Sequence, residues 1–275
     1  MPAKAGPALS AGLTNALPDA LRPAWAAPPN VRAMMSTRQG GVSAAPFDSL
    51  NLRPPGLSES EQDLPAAVHE NQRRFAAALG ARPVWLNQVH GAQVIRLVAG
   101  QAAGPLPTAD ASICTEPGIA CCVLVADCLP VLLCTANGVG VGAAHAGWRG
   151  LAAGVLDNSV AALCHATGVV PDQVLAWLGP CIGPAAFEVG ADVLAAFGAD
   201  PARPDPGLFV PRQRAGGSPG WLANLPALAR RRLSALGLVQ ISGDAGCTVA
   251  DASRFFSFRR DRVTGRLAAA IALLR

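Results

Sequence analysis

The sequence lacks an uncharged apolar run of 18 residues, which is close to the minimum length of a transmembrane helix. The best candidate, residues 119–134, is interrupted by Asp127 and Pro130. The N-terminus also has no basic segment followed by a continuous apolar stretch, so no signal peptide is predicted. We therefore expect no membrane partner.

Lysine is almost absent, because Lys4 is the only one and arginine supplies the other basic residues. The net charge is only +4 over 275 residues, and basic residues are scattered apart from 230–232 and 259–260. Nucleic-acid-binding domains usually concentrate positive charge on one face. No nucleic-acid partner is expected, and the 51% hydrophobic content is ample for a packed core.

The eight cysteines are not placed as a disulfide framework would place them. Most of them fall in strand-like runs rather than loops, and a chain of this length does not need covalent cross-links to fold. We expect reduced thiols and a cytoplasmic location. Six of the cysteines are interpreted as packing residues: Cys114, Cys121, Cys122, Cys134, Cys164 and Cys247.

Periodicity and breakers predict a loose Ala- and Pro-rich arm at 1–30, followed by one mixed domain of helices and strands at 31–275. A long polar loop is expected at 203–220. The predicted helices are 61–80, 148–168, 184–198 and 224–237, the last with Asn224 as its N-cap. The predicted strands are 83–91, 92–98, 119–126, 130–134, 138–145, 173–179, 238–243 and 266–274.

His90, Cys128 and His145 each follow an apolar, strand-like run and precede a Gly or Pro turn. Strand ends that meet loops are common places for functional groups. Two imidazoles and a thiolate suit zinc, and three protein ligands leave its fourth position open, as in catalytic zinc sites. The same mixture of nitrogen and sulfur donors also suits copper.

A second interpretation uses the same atoms without a metal. Cys128 is then a nucleophile, His145 its base, and Asp127 or Asn87 the group that orients the base. The start of a predicted helix just after His145 would favour the thiolate form. The residues alone leave this cysteine hydrolase open beside the metal site. A third interpretation is that all these side chains are hydrogen-bonded or packed core residues.

Arg149 lies at the start of that helix, where unpaired N–H groups attract anions. It is therefore a candidate phosphate or carboxylate ligand, and Gly147 permits a close approach of the backbone. Arg38 is a candidate for a second charge in the same pocket. Cys181 lies between Gly-Pro turns and is a candidate for a pocket wall, although a plain connection between elements is the favoured interpretation.

Six stretches, taken together and in this order, resemble one known protein family. They are TRQGGVSAAPFDSLNL (37–52), NQVHG (87–91), ADCLPVLL (126–133), AAHAGWRG (143–150), LGPCIGPAAFEVG (178–190) and RFFSFRRDRVTGR (254–266). The family is the YfiH/YlmD family, also described as the laccase-domain or DUF152 family. The resemblance covers the chain from about Thr37 onward and excludes the N-terminal arm. Phe258 stands where many members have tyrosine.

The resemblance implies a single layered α/β/β/α domain of the α+β class, related to the cytotoxic-necrotising-factor type of cysteine hydrolase. It also implies a zinc or copper ion held by His90, Cys128 and His145. Family members are described as purine nucleoside phosphorylases with adenosine deaminase and methylthioadenosine phosphorylase activity, as polyphenol oxidases and as peptidoglycan editing factors.

From these descriptions we expect a monomeric zinc enzyme that takes a purine nucleoside and phosphate as substrates. Arg38 and Arg149 are expected to hold phosphate, and Asn51 to contact ribose or base. A laccase is disfavoured, because oxygen reduction at several coppers requires many histidines and this chain has four. A cysteine hydrolase that edits peptidoglycan precursors is the other alternative.

Overall fold

The computed structural model describes residues 17–57, 62–99, 106–214, 217–243 and 246–275. The strands are β1 (Val31–Met35), β2 (Arg82–Val84), β3 (Val94–Leu97), β4 (Ala111–Cys114), β5 (Ile119–Val125), β6 (Leu129–Thr135), β7 (Val141–Ala146), β8 (Val174–Leu178), β9 (Glu188–Val189), β10 (Phe209–Gln213), β11 (Pro219–Ala223), β12 (Gln240–Gly243) and β13 (Leu267–Leu273). The α-helices are α1 (Pro65–Leu79), α2 (Trp148–Ala152), α3 (Val155–Thr167), α4 (Ala191–Ala196), α5 (Leu225–Ala235) and α6 (Phe258–Asp261).

Two sheets form the middle of the molecule. The first has the strand order β1-β13-β5-β2, and the second has the order β12-β8-β6-β7-β4-β3. Helix α1 packs with the outer face of the first sheet, whereas α3 and α5 cover the outer face of the second. A small sheet, β10-β11-β9, adds to the helical side of the second sheet. The layers confirm the predicted α/β/β/α arrangement.

Strands β5 and β13 show why this sequence produces layers. Both are buried along their whole length. Alternate residues point to opposite faces of a strand, so a strand covered on both sides is apolar throughout. In β5, Cys121 and Val123 face the core between the two sheets, whereas Cys122 and Leu124 face the core under α1.

Several predicted elements differ from the observed ones. The predicted helix 148–168 is two helices, because Gly154 adopts φ 90° between them. The predicted helix 184–198 contains only α4 as α-helix and also supplies β9. The predicted loop 203–220 contains β10 and the start of β11, which pair with each other as an antiparallel hairpin, and β11 also pairs with β9. Asn224 is confirmed as an N-cap, since its side chain accepts a hydrogen bond from the N–H of Ala227.

Residues 17–30 of the expected loose arm at 1–30 contact the body of the domain, and residues 1–16 lie outside the described residues. Leu17 is 3% exposed and belongs to the core under α1. Leu21 and Met35 exchange two backbone hydrogen bonds of 2.8 and 2.9 Å. Trp25 packs against the core between the sheets. Burial of these apolar side chains outweighs the weak periodicity of an Ala- and Pro-rich segment.

Leu17→Ala should lower the free energy of unfolding by about 2–4 kcal/mol, because it removes buried methyl groups and leaves a cavity. Urea denaturation followed by tryptophan fluorescence measures this change. The matched control is Leu64→Ala at a side chain that is 71% exposed, for which we expect a change below about 0.5 kcal/mol. Equal, small effects of both substitutions would show that the segment around Leu17 does not contribute to the core.

Candidate metal centre

The structure brings His90, Cys128 and His145 together. One nitrogen of each imidazole and the Cys128 Sγ all lie within 4.8 Å of one another. The distance from Cys128 Sγ to His90 Nε2 is 3.9 Å. The two imidazole rings are 4.9 Å apart between centroids and nearly perpendicular. Within the described part of the chain, this is the one cluster of His, Cys and acidic side chains arranged as metal ligands.

The pairing of β6 with β7 places Cys128 beside His145. The two strands are antiparallel, with Pro130 opposite His145. Cys128 therefore lies just before β6, at the end of the sheet where β7 finishes one residue after His145. Gly147 follows at the same end, and a Cβ at that position would lie only 2.9 Å from the Cys128 Sγ. The close backbone approach expected of this glycine is present.

The turn before Cys128 is held by Asp127, which adopts φ 96°. One Asp127 carboxylate oxygen accepts a hydrogen bond of 2.6 Å from the Thr248 hydroxyl. The other accepts one of 2.6 Å from the backbone N–H of Arg259. These contacts place Cys128 half-buried at the end of a short turn rather than at the end of the preceding strand.

His90 reaches the cluster from a loop. The predicted strand 83–91 is wrong beyond Val84, where β2 ends, and His90 has φ 60°. The backbone N–H groups of Val89, His90 and Gly91 donate hydrogen bonds of 3.1, 2.9 and 2.7 Å to the Asp110 carboxylate. Hydrogen bonds to this buried carboxylate, and not the pairing of a strand, hold the loop that carries His90.

Asp110 also contacts His145. Its Oδ1 lies 2.8 Å from the His145 Nδ1, which leaves Nε2 as the ring nitrogen for a ligand. Burial opposes ionisation of Asp110, but the hydrogen bonds from His145 and the loop amides hold its pKa below the usual value. The orienting group of His145 is therefore Asp110, and not Asp127 or Asn87 as expected. The Asn87 amide donates to the Thr108 hydroxyl instead.

The Cys128 thiol and the His145 imidazole influence each other strongly. Burial would raise the pKa of Cys128, but the His145 charge and hydrogen bonds from both histidines lower it to about 6. Burial likewise opposes charge on His145, but Cys128 and Asp110 together raise its pKa to about 9. In the protein without metal, the two groups form a thiolate–imidazolium pair at neutral pH.

The cluster opens into a cavity of about 510 Å³. Among the residues that the structure describes, four arginines line its wall, and three of them stack on aromatic rings. Arg149 lies over Trp148 at 4.4 Å, Arg259 over Phe187 at 5.7 Å and Arg266 over Phe258 at 5.9 Å. The fourth arginine is Arg53. Asp127 is the one acidic side chain among the described lining residues, and both its oxygens accept the hydrogen bonds given above.

Of the predicted binding residues, Arg149 lines this cavity. Arg38 lies elsewhere, where it pairs with Asp48 at 3.1 Å and stacks over Phe256 at 4.9 Å. The structure thus gives Arg38 a role in packing the segment after β1, outside the cavity wall.

Asn51 and Cys181 also lie outside the cavity wall. Asn51 is 2% exposed, and its side chain binds Asp63 and the backbone N–H groups of Arg53 and Arg266. Cys181 is 1% exposed, and its backbone pairs with that of Cys247. Neither side chain lines the cavity, because each is enclosed by its own structural contacts.

Sequence reasoning missed Arg53, Arg259, Arg266 and Asp110. Two of the four, Arg259 and Arg266, lie within the stretch RFFSFRRDRVTGR that carries the family resemblance, so the sequence contained a signal for these two. Asp110 precedes a short apolar strand and has no spacing relation to the histidines. Its role follows from contacts that join residues 19 to 35 positions apart.

The donor atoms fit a metal ion. Tetrahedral zinc with nitrogen and sulfur ligands at about 2.0 and 2.3 Å places those atoms roughly 3.5 Å apart. The observed 3.9 Å between His90 Nε2 and Cys128 Sγ is close to this value. A carboxylate on the second nitrogen of His145 is also typical of metal-binding histidines. Zinc and copper both suit this donor set.

A family model described as multi-copper polyphenol oxidoreductase laccase matches residues 32–274. A purine nucleoside phosphorylase of Pseudomonas aeruginosa is 47% identical over 251 residues, which cover 91% of this chain and 97% of that protein. The purine nucleoside phosphorylase YfiH of Escherichia coli is 46% identical over 254 residues, which cover 92% of this chain and 98% of that protein.

Solved structures agree with the fold. The Neisseria meningitidis protein NMB0706, a DUF152 protein, superposes with a TM-score of 0.80 at 42% identity and covers 94% of this chain and 100% of its own. YlmD from Geobacillus stearothermophilus superposes with a TM-score of 0.78 at 29% identity. The match covers 90% of this chain and 93% of YlmD. Among the described residues, no helix is both long and apolar enough to cross a membrane.

In metal-free protein, Cys128 should be alkylated by iodoacetamide with a pH midpoint near 6. Its pKa is lowered to about 6, so the thiolate is present above that pH and is lost as the pH falls through it. Mass spectrometry of peptides, after short pulses at each pH, measures the rate for each cysteine separately. Cys164 is an internal control in the same digest, because burial raises its pKa above 9.0. Matching midpoints for Cys128 and Cys164 would contradict the thiolate–imidazolium pair.

Proposed function

The chain belongs to the DUF152 family, whose model is described as multi-copper polyphenol oxidoreductase laccase, and on this premise we propose that it is a purine nucleoside phosphorylase. The proposed reaction centre is a zinc site at His90, Cys128 and His145. The observation that carries the proposal is one cavity that combines this donor set with stacked arginines and aromatic rings.

The cavity wall suits both substrates. Arginine binds phosphate through paired, charge-assisted hydrogen bonds. Arg149 is exposed and lies within the first residues of α2, so its guanidinium can meet an anion that enters from solvent. Trp148 and Phe258 supply apolar aromatic surface for a purine ring, and Phe258 is 46% exposed.

In phosphorolysis, a phosphate oxygen bonds to the ribose anomeric carbon while the bond from that carbon to the purine nitrogen breaks. The purine leaves with the bonding electrons and takes up a proton, and ribose 1-phosphate is formed. The arginines would hold the phosphate beside the sugar and balance its charge. When bound, zinc supplies Lewis acidity, which would serve both phosphorolysis and the adenosine deamination that the resemblance implies.

A cysteine hydrolase is the second candidate function, because one specific arrangement favours it. Cys128 has a lowered pKa, His145 is beside it, and Asp110 orients His145. These are the parts of a nucleophile, base and orienting group. Polyphenol oxidation is less well supported, since the candidate centre contains two of the four histidines in the chain.

Purified protein should release free base from adenosine, inosine or methylthioadenosine only when phosphate is present. An equal amount of sugar phosphate should form, which is ribose 1-phosphate from adenosine and inosine and 5-methylthioribose 1-phosphate from methylthioadenosine. Chromatography of the products measures both. Inosine formed from adenosine without phosphate would report deamination. Absence of base release and of inosine with every nucleoside would contradict the proposal.

Arg149→Ala should raise the KM for phosphate about tenfold or more and change the KM for nucleoside much less. A charge-assisted hydrogen bond contributes about 1.5–3 kcal/mol, and 1.4 kcal/mol corresponds to tenfold. The control is Arg231→Ala, an exposed arginine of α5 that pairs with Asp205 at 3.8 Å. An unchanged phosphate KM in Arg149→Ala would remove this residue from the proposed phosphate site.

Cys128→Ala should lose bound zinc, as measured by elemental analysis, whereas Cys164→Ala should retain it. Activity of the wild-type protein should fall after treatment with a chelator and return when zinc is added. If Cys128 is instead the nucleophile of a hydrolase, chelators should have no effect and alkylation of Cys128 should abolish activity. That pattern would favour the second candidate function over the first.

A further inference from the structure

We propose that Asp110 is the positioning residue of the centre, because its single carboxylate sets the placement of both histidine side chains relative to Cys128. The inference rests on the three-residue centre of the proposed function, but it does not depend on the substrate that the cavity takes. Asp110 itself lies outside the cavity wall and is 0% exposed.

The carboxylate of Asp110 is saturated by four donors. Oδ2 accepts from the backbone N–H groups of Val89 and Gly91, at 3.1 and 2.7 Å. Oδ1 accepts from the backbone N–H of His90 at 2.9 Å and lies 2.8 Å from the Nδ1 of His145. An ionised carboxylate has about four lone-pair sites. All four are used here, so the group has no alternative orientation that keeps its hydrogen bonds.

The backbone holds Asp110 in the same place. Its carbonyl oxygen accepts a hydrogen bond of 2.7 Å from the N–H of His145, and its N–H donates to the Gln93 carbonyl at 3.1 Å. The next residue, Ala111, is paired with Ala144 in the antiparallel β4–β7 ladder. Asp110 is thus bound to His145 through both backbone and side chain. The loop that carries His90 is attached to this fixed point.

The position of the Asp110 oxygen also fixes which ring nitrogen of His145 is engaged in a hydrogen bond. With a carboxylate at 2.8 Å, Nδ1 donates, and Nε2 is the nitrogen left to face Cys128 and His90. An uncharged amide in place of the carboxylate has one oxygen and one NH₂ group. It cannot accept from all four donors. Whichever way the amide is turned, its NH₂ group takes the place of an oxygen that accepts from two of these donors.

Asp110→Asn therefore tests positioning separately from packing, because it preserves the shape of the side chain. Cobalt(II) and zinc are the probes, each titrated against a competing chelator. We expect binding on the order of 10- to 100-fold weaker than in the wild-type protein. We also expect a weaker thiolate-to-cobalt absorption band, since the donors would no longer converge. Thermal unfolding without metal shows whether the variant is folded.

The matched control is Thr135→Val, at the opposite end of β6. Thr135 is also 0% exposed, and its hydroxyl accepts from the N–H groups of Val139 and Gly140 at 3.0 and 3.1 Å. This substitution should lower thermal stability and leave metal affinity unchanged. If Thr135→Val weakens metal binding as much as Asp110→Asn does, the effect is general destabilisation and the proposal is overturned.

Nuclear magnetic resonance of the metal-free protein gives a readout that does not need a metal. The Nδ1 proton of His145 should appear at low field in the wild-type protein, where a carboxylate oxygen 2.8 Å away accepts it, and should move to higher field in Asp110→Asn, where no charged acceptor is present. An unshifted Nδ1 proton together with unchanged cobalt affinity would overturn the proposal. If the wild-type protein cleaves no nucleoside but the Asp110→Asn effects are observed, the proposed reaction fails and the positioning role stands.

Discussion

The candidate centre depends on the register between β6 and β7. Pro130 lies opposite His145, so the residues just before β6 and those at the end of β7 meet at one sheet edge. Along β7, Val141 and Ala143 face the core between the sheets, whereas Ala144 and Ala146 face the helices. A slip by one residue would reverse these faces and direct His145 to the opposite side. Burial on both faces opposes that slip.

The site also depends on a balance of buried charge. An unpaired carboxylate is costly in a protein interior, yet Asp110 is fully buried. Its four hydrogen-bond donors compensate for this cost, and the same donors belong to the segments that carry the two histidines. The contacts that make the buried group tolerable therefore also bring the ligands together. Asp127 is also a buried carboxylate whose oxygens both accept hydrogen bonds, from the Thr248 hydroxyl and the Arg259 backbone N–H. These bonds hold the turn before Cys128.

The cavity combines rigidity with accessible charge. Two of its three donor groups, Cys128 and His145, lie where β6 and β7 meet at one end of a sheet that is covered on both sides, whereas Arg259 and Phe258 come from the short helix α6. Stacking on aromatic rings restrains the arginine side chains and holds their positive charge at the cavity wall. A ligand that has both an aromatic ring and a phosphate partner suits such a wall. This complementarity is the physical basis for favouring nucleoside phosphorolysis over oxidation of phenols.

The sequence by itself predicted a single domain of mixed helices and strands and the residue types of the centre, and its resemblance to a known family implied the layers. Continuous apolar strands such as β5 indicate sheets covered on both faces, and two histidines with a cysteine at strand boundaries indicate a site. Only the tertiary structure decided that His90 arrives on a loop held by Asp110, and that Arg38, Asn51 and Cys181 lie outside the cavity wall while Arg259 lines it. Periodicity reports local burial, but it contains no information on which distant segments meet. The contact between Arg259 and Asp127 joins residues 132 positions apart, and such contacts form only when the complete core brings the sheet edges and loops together.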